Sequence, residues 1–296
     1  MNSVDKITIC FCEGSHDTAF LYRILKTKCY ETFKDSLYKL PKVIGDFIIQ
    51  NNKNVEYNKL KINSLTNEFV PNKILYKEDE MILLYSMGGD TKKDKLLKTI
   101  QHYFEDIESK LKDGDNNGKA FDISQKTIEY KFLFFYDADN DKQKQIDKVN
   151  SILNDLNINL TLAHNKVIKK DDYCLGAYIF SNDEDKGTLE DILFELMKKD
   201  NEEIFNEAEK YLNFVQDDRL KRFKIKCKDN VSTEKRDEKQ KLYEKKSIFG
   251  IVGQLQNSGA SNVVTIEYSD YLTLEKINTS KKLQEIANFI TTKGNI

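Results

Sequence analysis

The sequence predicts an α/β protein: a central, mostly parallel sheet flanked by helices, with an α-rich insertion and a helical C-terminal part. Three observations predict it. Short continuous apolar runs such as Phe132–Tyr136 end in polar or glycine-containing turns, as strands buried on both faces do. Stretches with apolar residues at helical spacing follow such runs. The alternation repeats along the chain, which is the pattern of parallel strands joined by crossover helices. The expected division is a sheet-bearing domain over 1–200, interrupted by an insertion at about 29–80, and a helical extension over 201–296.

Composition bounds the function classes. A chain of 296 residues can bury a sizeable core, and 47 Lys+Arg against 49 Asp+Glu leave a net charge of −2. That balance neither demands nor forbids a nucleic-acid partner, because a basic surface can sit within a neutral total. The five cysteines are odd in number and scattered, and no signal peptide or 18-residue apolar run is seen. The expectation is a reduced, cytoplasmic protein with no membrane segment. Cys10-x-Cys12 has the wrong spacing for a zinc pair and lies in an apolar strand.

In order along the chain, Ile7–Cys12 is the first buried strand. It delivers Glu13 to a turn containing Gly14, and Thr18–Lys28 carries Phe20, Leu21, Ile24 and Leu25 at helical spacing. The bland account makes Asp17 the helix N-cap and Gly14 a tight turn, and leaves Glu13 unexplained. Within 29–80, Val43–Gln50 reads as strand or helix, between Pro41 and Pro71. Met81–Tyr85 is a second strand, leading to Gly88-Gly89, whose backbones can take positive φ. Thr91–Leu111 is an amphipathic helix, and Lys112–Thr127 a loop by composition. Gln143–Leu156 is a helix, Ile158–Ala163 a short strand, and Tyr173–Phe180 a further buried strand. The acidic loop before Thr188 precedes a helix for which Thr188 is a good N-cap, with Asp191 three residues on. Asn201–Phe223 is helical, and Lys224–Lys246 is a charged run read as a solvated face. The tail ends in an amphipathic helix through Leu283, Ile286 and Phe289, expected to pack on the sheet or at an interface.

The chemistry centres on Lys131–Asp141. Its strand runs into Asp137, Asp139 and Asp141, and ligands of open parallel sheets bind outside the carboxyl ends of strands. Asp137 and Asp139, two apart, could present both carboxylates on one patch. Oxygen-only donors suit Mg2+ or Mn2+.

Strand–EGxxD–helix (Glu13, Gly14, Asp17) followed by strand–DxD (Asp137, Asp139) resembles the Toprim fold of topoisomerases, primases and OLD-family nucleases. The resemblance implies that Glu13, Asp17, Asp137 and Asp139 bind divalent metal at adjacent strand ends, two Mg2+ or Mn2+ ions in all. It extends to the Gly-Gly turn (Ser86–Asp90) and to Gly-x-Leu-Glu-Asp (Gly187–Asp191), which implies Glu190 and Asp191 as additional ligands. OLD-type members also place a lysine at the start of an apolar helix, which implies Lys246, with Lys245 its neighbour, beside the phosphate. Glu13, Asp137, Asp139 and Lys246 are thus the implied catalytic set, and Glu13 is a candidate general base.

Stand-alone Toprim nucleases remain once topoisomerases (which need a large tyrosine-bearing domain), primases and recombination mediators (which need a zinc module) are set aside. The resemblance to ATPase-partnered phage-defence effectors of the PARIS kind implies a toxic nuclease acting on DNA or tRNA. It further implies an ABC-type ATPase as a separate polypeptide and a homodimer as one assembly. The alternatives are a Toprim-shaped binding or regulatory module that does not cut, and an unrelated phosphotransferase using Asp137 as nucleophile.

Overall fold

A computed structural model describes residues 4–51, 69–88, 93–115, 128–170, 172–214, 223–228, 231–236 and 244–292. By internal contacts the chain divides into two units, Met1–Leu189 with Leu274–Ile296, and Glu190–Thr273. This differs from the expected division at residue 200. The C-terminal helices belong with the sheet, because the apolar stripe of the last helix finds its cover there.

The first unit holds a seven-stranded sheet of β1 (Lys6–Cys12), β2 (Glu31–Thr32), β3 (Lys73–Lys77), β4 (Glu80–Ser86), β5 (Glu129–Asp137), β6 (Lys166–Lys170) and β7 (Tyr173–Phe180). Their order is β2-β3-β4-β1-β5-β7-β6. The four central strands are parallel, and β2, β3 and β6 are antiparallel additions at the edges. The continuously apolar sequences found as strands are the four central ones, since each is covered on both faces. The outer strands β3 (KILYK), next to the edge, and β6 (KVIKK), at the edge, carry lysines and escaped the sequence reading, as did the two-residue edge strand β2. Ile158–Ala163, expected as a strand, has no strand geometry.

Strand alternation distributes side chains to two layers. Ile7, Ile9, Phe11, Phe132 and Phe134 share one core with residues of α2 (Lys42–Gln50), α3 (Lys93–Asp115) and α4 (Lys142–Asp155). On the other face α1 (Ser15–Thr27), α9 (Leu274–Thr279) and α10 (Lys281–Thr291) pack together. There Phe20 meets Phe180, and Phe289 meets Phe135 and Tyr178 edge-on or tilted. Among its described residues the insertion contributes β2, α2 and β3, together with a 3-10 turn at Leu37–Lys39. It is therefore mixed rather than purely α-rich. Helix α3 runs through Asp115, four residues into the expected loop, and 116–127 lie outside the described residues.

The second unit contains α5 (Leu189–Lys198, whose first residue is counted with the sheet), α6 (Glu202–Phe214), α7 (Glu244–Gln256) and α8 (Asn262–Tyr268). Phe194, Phe205, Phe249 and Tyr271 form its aromatic core. It also holds a two-stranded antiparallel hairpin, β8 (Phe223–Lys228) and β9 (Val231–Arg236). The expected helix over 201–223 thus stops at Phe214 within the described residues, and Phe223 opens a strand. A lysine-rich strand whose described side chains are all exposed leaves no apolar run to find.

Candidate functional site

Strands β1 and β5 are neighbours whose chain exits diverge. From β1 the chain passes through α1 toward β2, β3 and β4 on one side of the sheet; from β5 it passes through α4 to β6 and β7 on the other. Such a topological switch point leaves a crevice at the strands' carboxyl ends, where ligands of open α/β sheets bind. Glu13 follows β1 and Asp137 ends β5, so both lie at that crevice.

The backbone there is locked from both sides. Glu13 N donates to Phe135 O (3.1 Å), Met87 N to Cys12 O (2.8 Å) and Gly88 N to Glu13 O (3.0 Å). Gly88 has φ 75°, which explains one of the two glycines, because a side-chain-bearing residue is strained there. Gly89 and Asp90 lie outside the described residues. The Asp137 amide points at Glu13 Oε2 at 3.4 Å, a long contact that orients the glutamate. Asp137 Oδ1 in turn accepts from Leu189 N, the first amide of α5, at 2.7 Å. A carboxylate at a helix start is favoured both by the unsatisfied amide and by the positive end of the helix dipole. Thr188 keeps the N-cap position in sequence, but the first amide of the helix is met by Asp137, at the end of β5.

Asp17 is not an N-cap. It is the third residue of α1, and its Oδ2 accepts from the Gly14 amide at 2.7 Å, the return half of a capping box. It is buried, at 4% exposure. Asp139 also departs from expectation. Strand β5 ends at Asp137, and Asp139 sits at φ 51° in a two-way backbone bridge with Gly187 (2.8 and 2.7 Å). The period-two argument therefore does not extend to it. Its exposed carboxylate accepts from Gln145 Nε2 on α4 at 3.3 Å, so Asp137 and Asp139 are held by different partners. Asp141 caps α4 through Lys144 N at 3.0 Å.

In the second unit, Glu190 and Asp191 in the first turn of α5 face Lys246 and Lys245 in the first turn of α7. Lys246 Nζ lies 3.1 Å from Glu190 Oε1, and Lys245 Nζ 2.5 Å from Asp191 Oδ1. Glu190 is buried (5% of its side chain exposed) while Lys246 is two-fifths exposed. Two adjacent residues on each helix are thus matched in register, and each carboxylate has a cation.

Sequence reasoning missed three residues at the sheet's carboxyl end. Lys95, on α3, donates to Ser86 O at 2.9 Å. Ser181 directly follows β7, is 1% exposed, and its Oγ has no hydrogen-bond partner among the described residues. Gln145 Oε1 is likewise buried without one. Position just after a strand, or in the first turn of the following helix, was the available signal.

The donor set at the switch point is oxygen-only, which fits a hard divalent cation. Against this, among the described residues no group of three or more His, Cys, Asp or Glu is gathered closely enough to hold a metal ion. A cavity of about 870 Å³ lies elsewhere in the first unit, between β6 and α9–α10, and none of the strand-end carboxylates lines it. The five cysteines are all free, with Cys10, Cys12 and Cys174 buried, and burial raises the Cys10 and Cys12 thiol pKa values well above the ordinary range. No described helix is long and apolar enough to cross a membrane.

Comparison with known proteins gives the fold a counterpart. The chain is similar to the crystal structure of the hypothetical protein PH0156 from Pyrococcus horikoshii OT3, at a TM-score of 0.51 and 15% identity, over 96% of this chain and 94% of that one. A likeness at that identity speaks for the fold alone. No curated protein matches. A family model described as "Protein of unknown function (DUF3226)" matches residues 8–235, well over half of the sequence, and the chain therefore belongs to the DUF3226 family.

Proposed function

We propose that the protein is a divalent-metal-dependent nuclease of the Toprim kind, hydrolysing phosphodiester bonds in DNA or tRNA. The observation that carries the reading is the placement of Glu13 and Asp137 side by side at the switch point of β1 and β5. Bound Mg2+ or Mn2+ would neutralise the phosphate, activate a water and stabilise the leaving oxygen. The chain's own groups supply the rest. The Leu189 amide fixes the Asp137 carboxylate, and the Asp137 amide orients Glu13, so neither must be ordered when substrate arrives. Glu13, half-buried, is positioned to take the proton of an attacking water. Asp17 shapes the turn that carries Glu13, and Asp139 adds an exposed carboxylate to the rim.

In this reading the protein is a toxic effector of anti-phage defence, controlled by a separate ABC-type ATPase and able to act as a homodimer. That part rests on the sequence resemblance. A second reading, a Toprim-shaped regulatory module that binds nucleic acid or metal without cutting, is favoured by the carboxylates' engagement with backbone amides and by the lack of a tight ligand group among the described residues.

The deciding experiment is a cleavage assay on plasmid, single-stranded DNA and total tRNA with Mg2+ or Mn2+, comparing wild type with Glu13→Ala and Asp137→Asn. Metal-dependent cutting lost in both variants is expected. Cutting that survives in both variants overturns the site. No cutting by the wild type, even when co-expressed with a partner ATPase, favours the regulatory module.

A further inference from the structure

The β8–β9 hairpin has an unusual division of charge. Its register pairs Lys224 with Lys235, Lys226 with Thr233 and Lys228 with Val231, which sets all six residues on one face. That face holds four lysines and no acidic residue. Ile225 with Glu234 and Cys227 with Ser232 occupy the other face. Every one of these ten residues is exposed, Ile225 at 68% and Val231 at 61%.

A two-stranded ribbon is marginal by itself, and this one gathers four lysines on one exposed face. The chain's net charge is −2, so a face of +4 is a local concentration and not a reflection of the whole. A polyanion is the complementary partner of such a face.

We propose that this face of the hairpin binds duplex DNA through its phosphates. Lysines two apart on β8 are separated by about 6.8 Å, twice the roughly 3.4 Å axial spacing of phosphates along one strand. A two-stranded ribbon enters the B-form major groove, about 12 Å wide, whereas the A-form major groove of RNA is too narrow. The face presents no Arg, Asn, Gln or Glu, and its lysines are spaced along the ribbon as phosphate contacts, so backbone contacts dominate and affinity should vary little with sequence. As an account of substrate choice the proposal rests on the nuclease reading, in which it selects DNA over tRNA; as an account of binding it does not.

The test uses the full chain in EDTA, where cleavage cannot occur, with fluorescence anisotropy on two labelled DNA duplexes of unrelated sequence, an RNA duplex and tRNA. Wild type is compared with a variant carrying Lys224→Gln, Lys226→Gln, Lys228→Gln and Lys235→Gln, with Lys226→Gln alone, and with Ser232→Ala on the opposite face. Thermal unfolding checks that each folds. Expected is similar affinity for both DNA duplexes and weaker binding of both RNAs. The fourfold variant should lose at least about tenfold in affinity, and its slope of log K against log salt should fall by about 3.6, the single variant's by about 0.9. Ser232→Ala should bind as wild type. An unchanged slope in the fourfold variant, absence of duplex binding by the wild type, or tighter binding of tRNA than of DNA overturns the proposal. The two readings fail separately. Ribbon-dependent binding without cleavage under any metal condition removes the nuclease and keeps the ribbon. Cleavage by the fourfold variant at the wild-type rate removes the ribbon from substrate choice and keeps the nuclease.

Discussion

Asp137 is asked to do two things, and replacing it two ways separates them. Its Oδ1 accepts from the first amide of α5 at 2.7 Å, while its charge belongs to the proposed metal site. Asn keeps an acceptor oxygen of similar shape; Ala removes it. Loss of a cap costs about 1 kcal/mol, and loss of the charge at the helix start costs about 0.5 kcal/mol more. Asp137→Ala therefore loses about 1.5 kcal/mol, and Asp137→Asn only about 0.5 kcal/mol. At about 2–4 °C per kcal/mol for a domain near this size, Tm falls by about 3–6 °C for Ala and about 1–2 °C for Asn. Under the proposed function, metal-dependent cleavage should be lost in both, because both lack the carboxylate. Differential scanning fluorimetry and the cleavage assay, run on the same preparations, measure the two effects. Equal Tm losses in Ala and Asn would refute the capping argument. Wild-type cleavage by Asp137→Asn would refute the metal role.

Three further predictions concern other parts of the chain. Lys246→Ala leaves Glu190 buried without this cation and should cost about 1–3 kcal/mol, less than a fully buried pair because Lys246 is two-fifths exposed. Adding Glu190→Gln should restore much of that stability, so a double-mutant cycle by chemical denaturation with no coupling would refute the pairing. Burial lowers the His164 pKa to about 4, with help from Lys142 and Lys282 and against Glu285 and Asp185, while Nδ1 accepts from Ile179 N at 3.0 Å. The folded-state pKa lies below the unfolded value of 6.5, so the unfolded chain binds more protons between the two. The contribution to stability is therefore full above about pH 6.5 and lost as pH falls toward about 4. His164→Asn, which keeps an acceptor for Ile179, should narrow the Tm gap to wild type across that window, and a gap independent of pH would contradict it. Gly176→Ala would place a Cβ 3.0 Å from both the Lys166 carbonyl and Phe289 Cζ, and 3.1 Å from Leu133 Cδ2. Overpacking on this scale costs about 1–3 kcal/mol, measurable by denaturant titration; a neutral result would mean α10 gives way.

What the sequence determined by itself is the part of the protein where one residue's surroundings are set by its near neighbours. The apolar runs of β1, β4, β5 and β7 read as buried parallel strands because both of their faces are covered, and the helical spacing after them marks α1, α3 and α4. The order strand–Glu13 and strand–Asp137 was legible for the same reason. Tertiary structure decided the rest. The outer strands β2, β3 and β6 and the β8–β9 hairpin have little or no apolar run, since their identity comes from a partner's hydrogen bonds. Asp139 left the strand pattern because Gly187, distant in sequence, bridges its backbone at positive φ. Asp17 became the return half of a cap, and Asp137 the cap of a helix 52 residues away. Glu190 and Asp191 acquired their lysines only because α5 and α7 meet in register. A carboxylate's type is written in the chain, but which donor holds it is fixed by contacts that close long loops, and no local pattern records those.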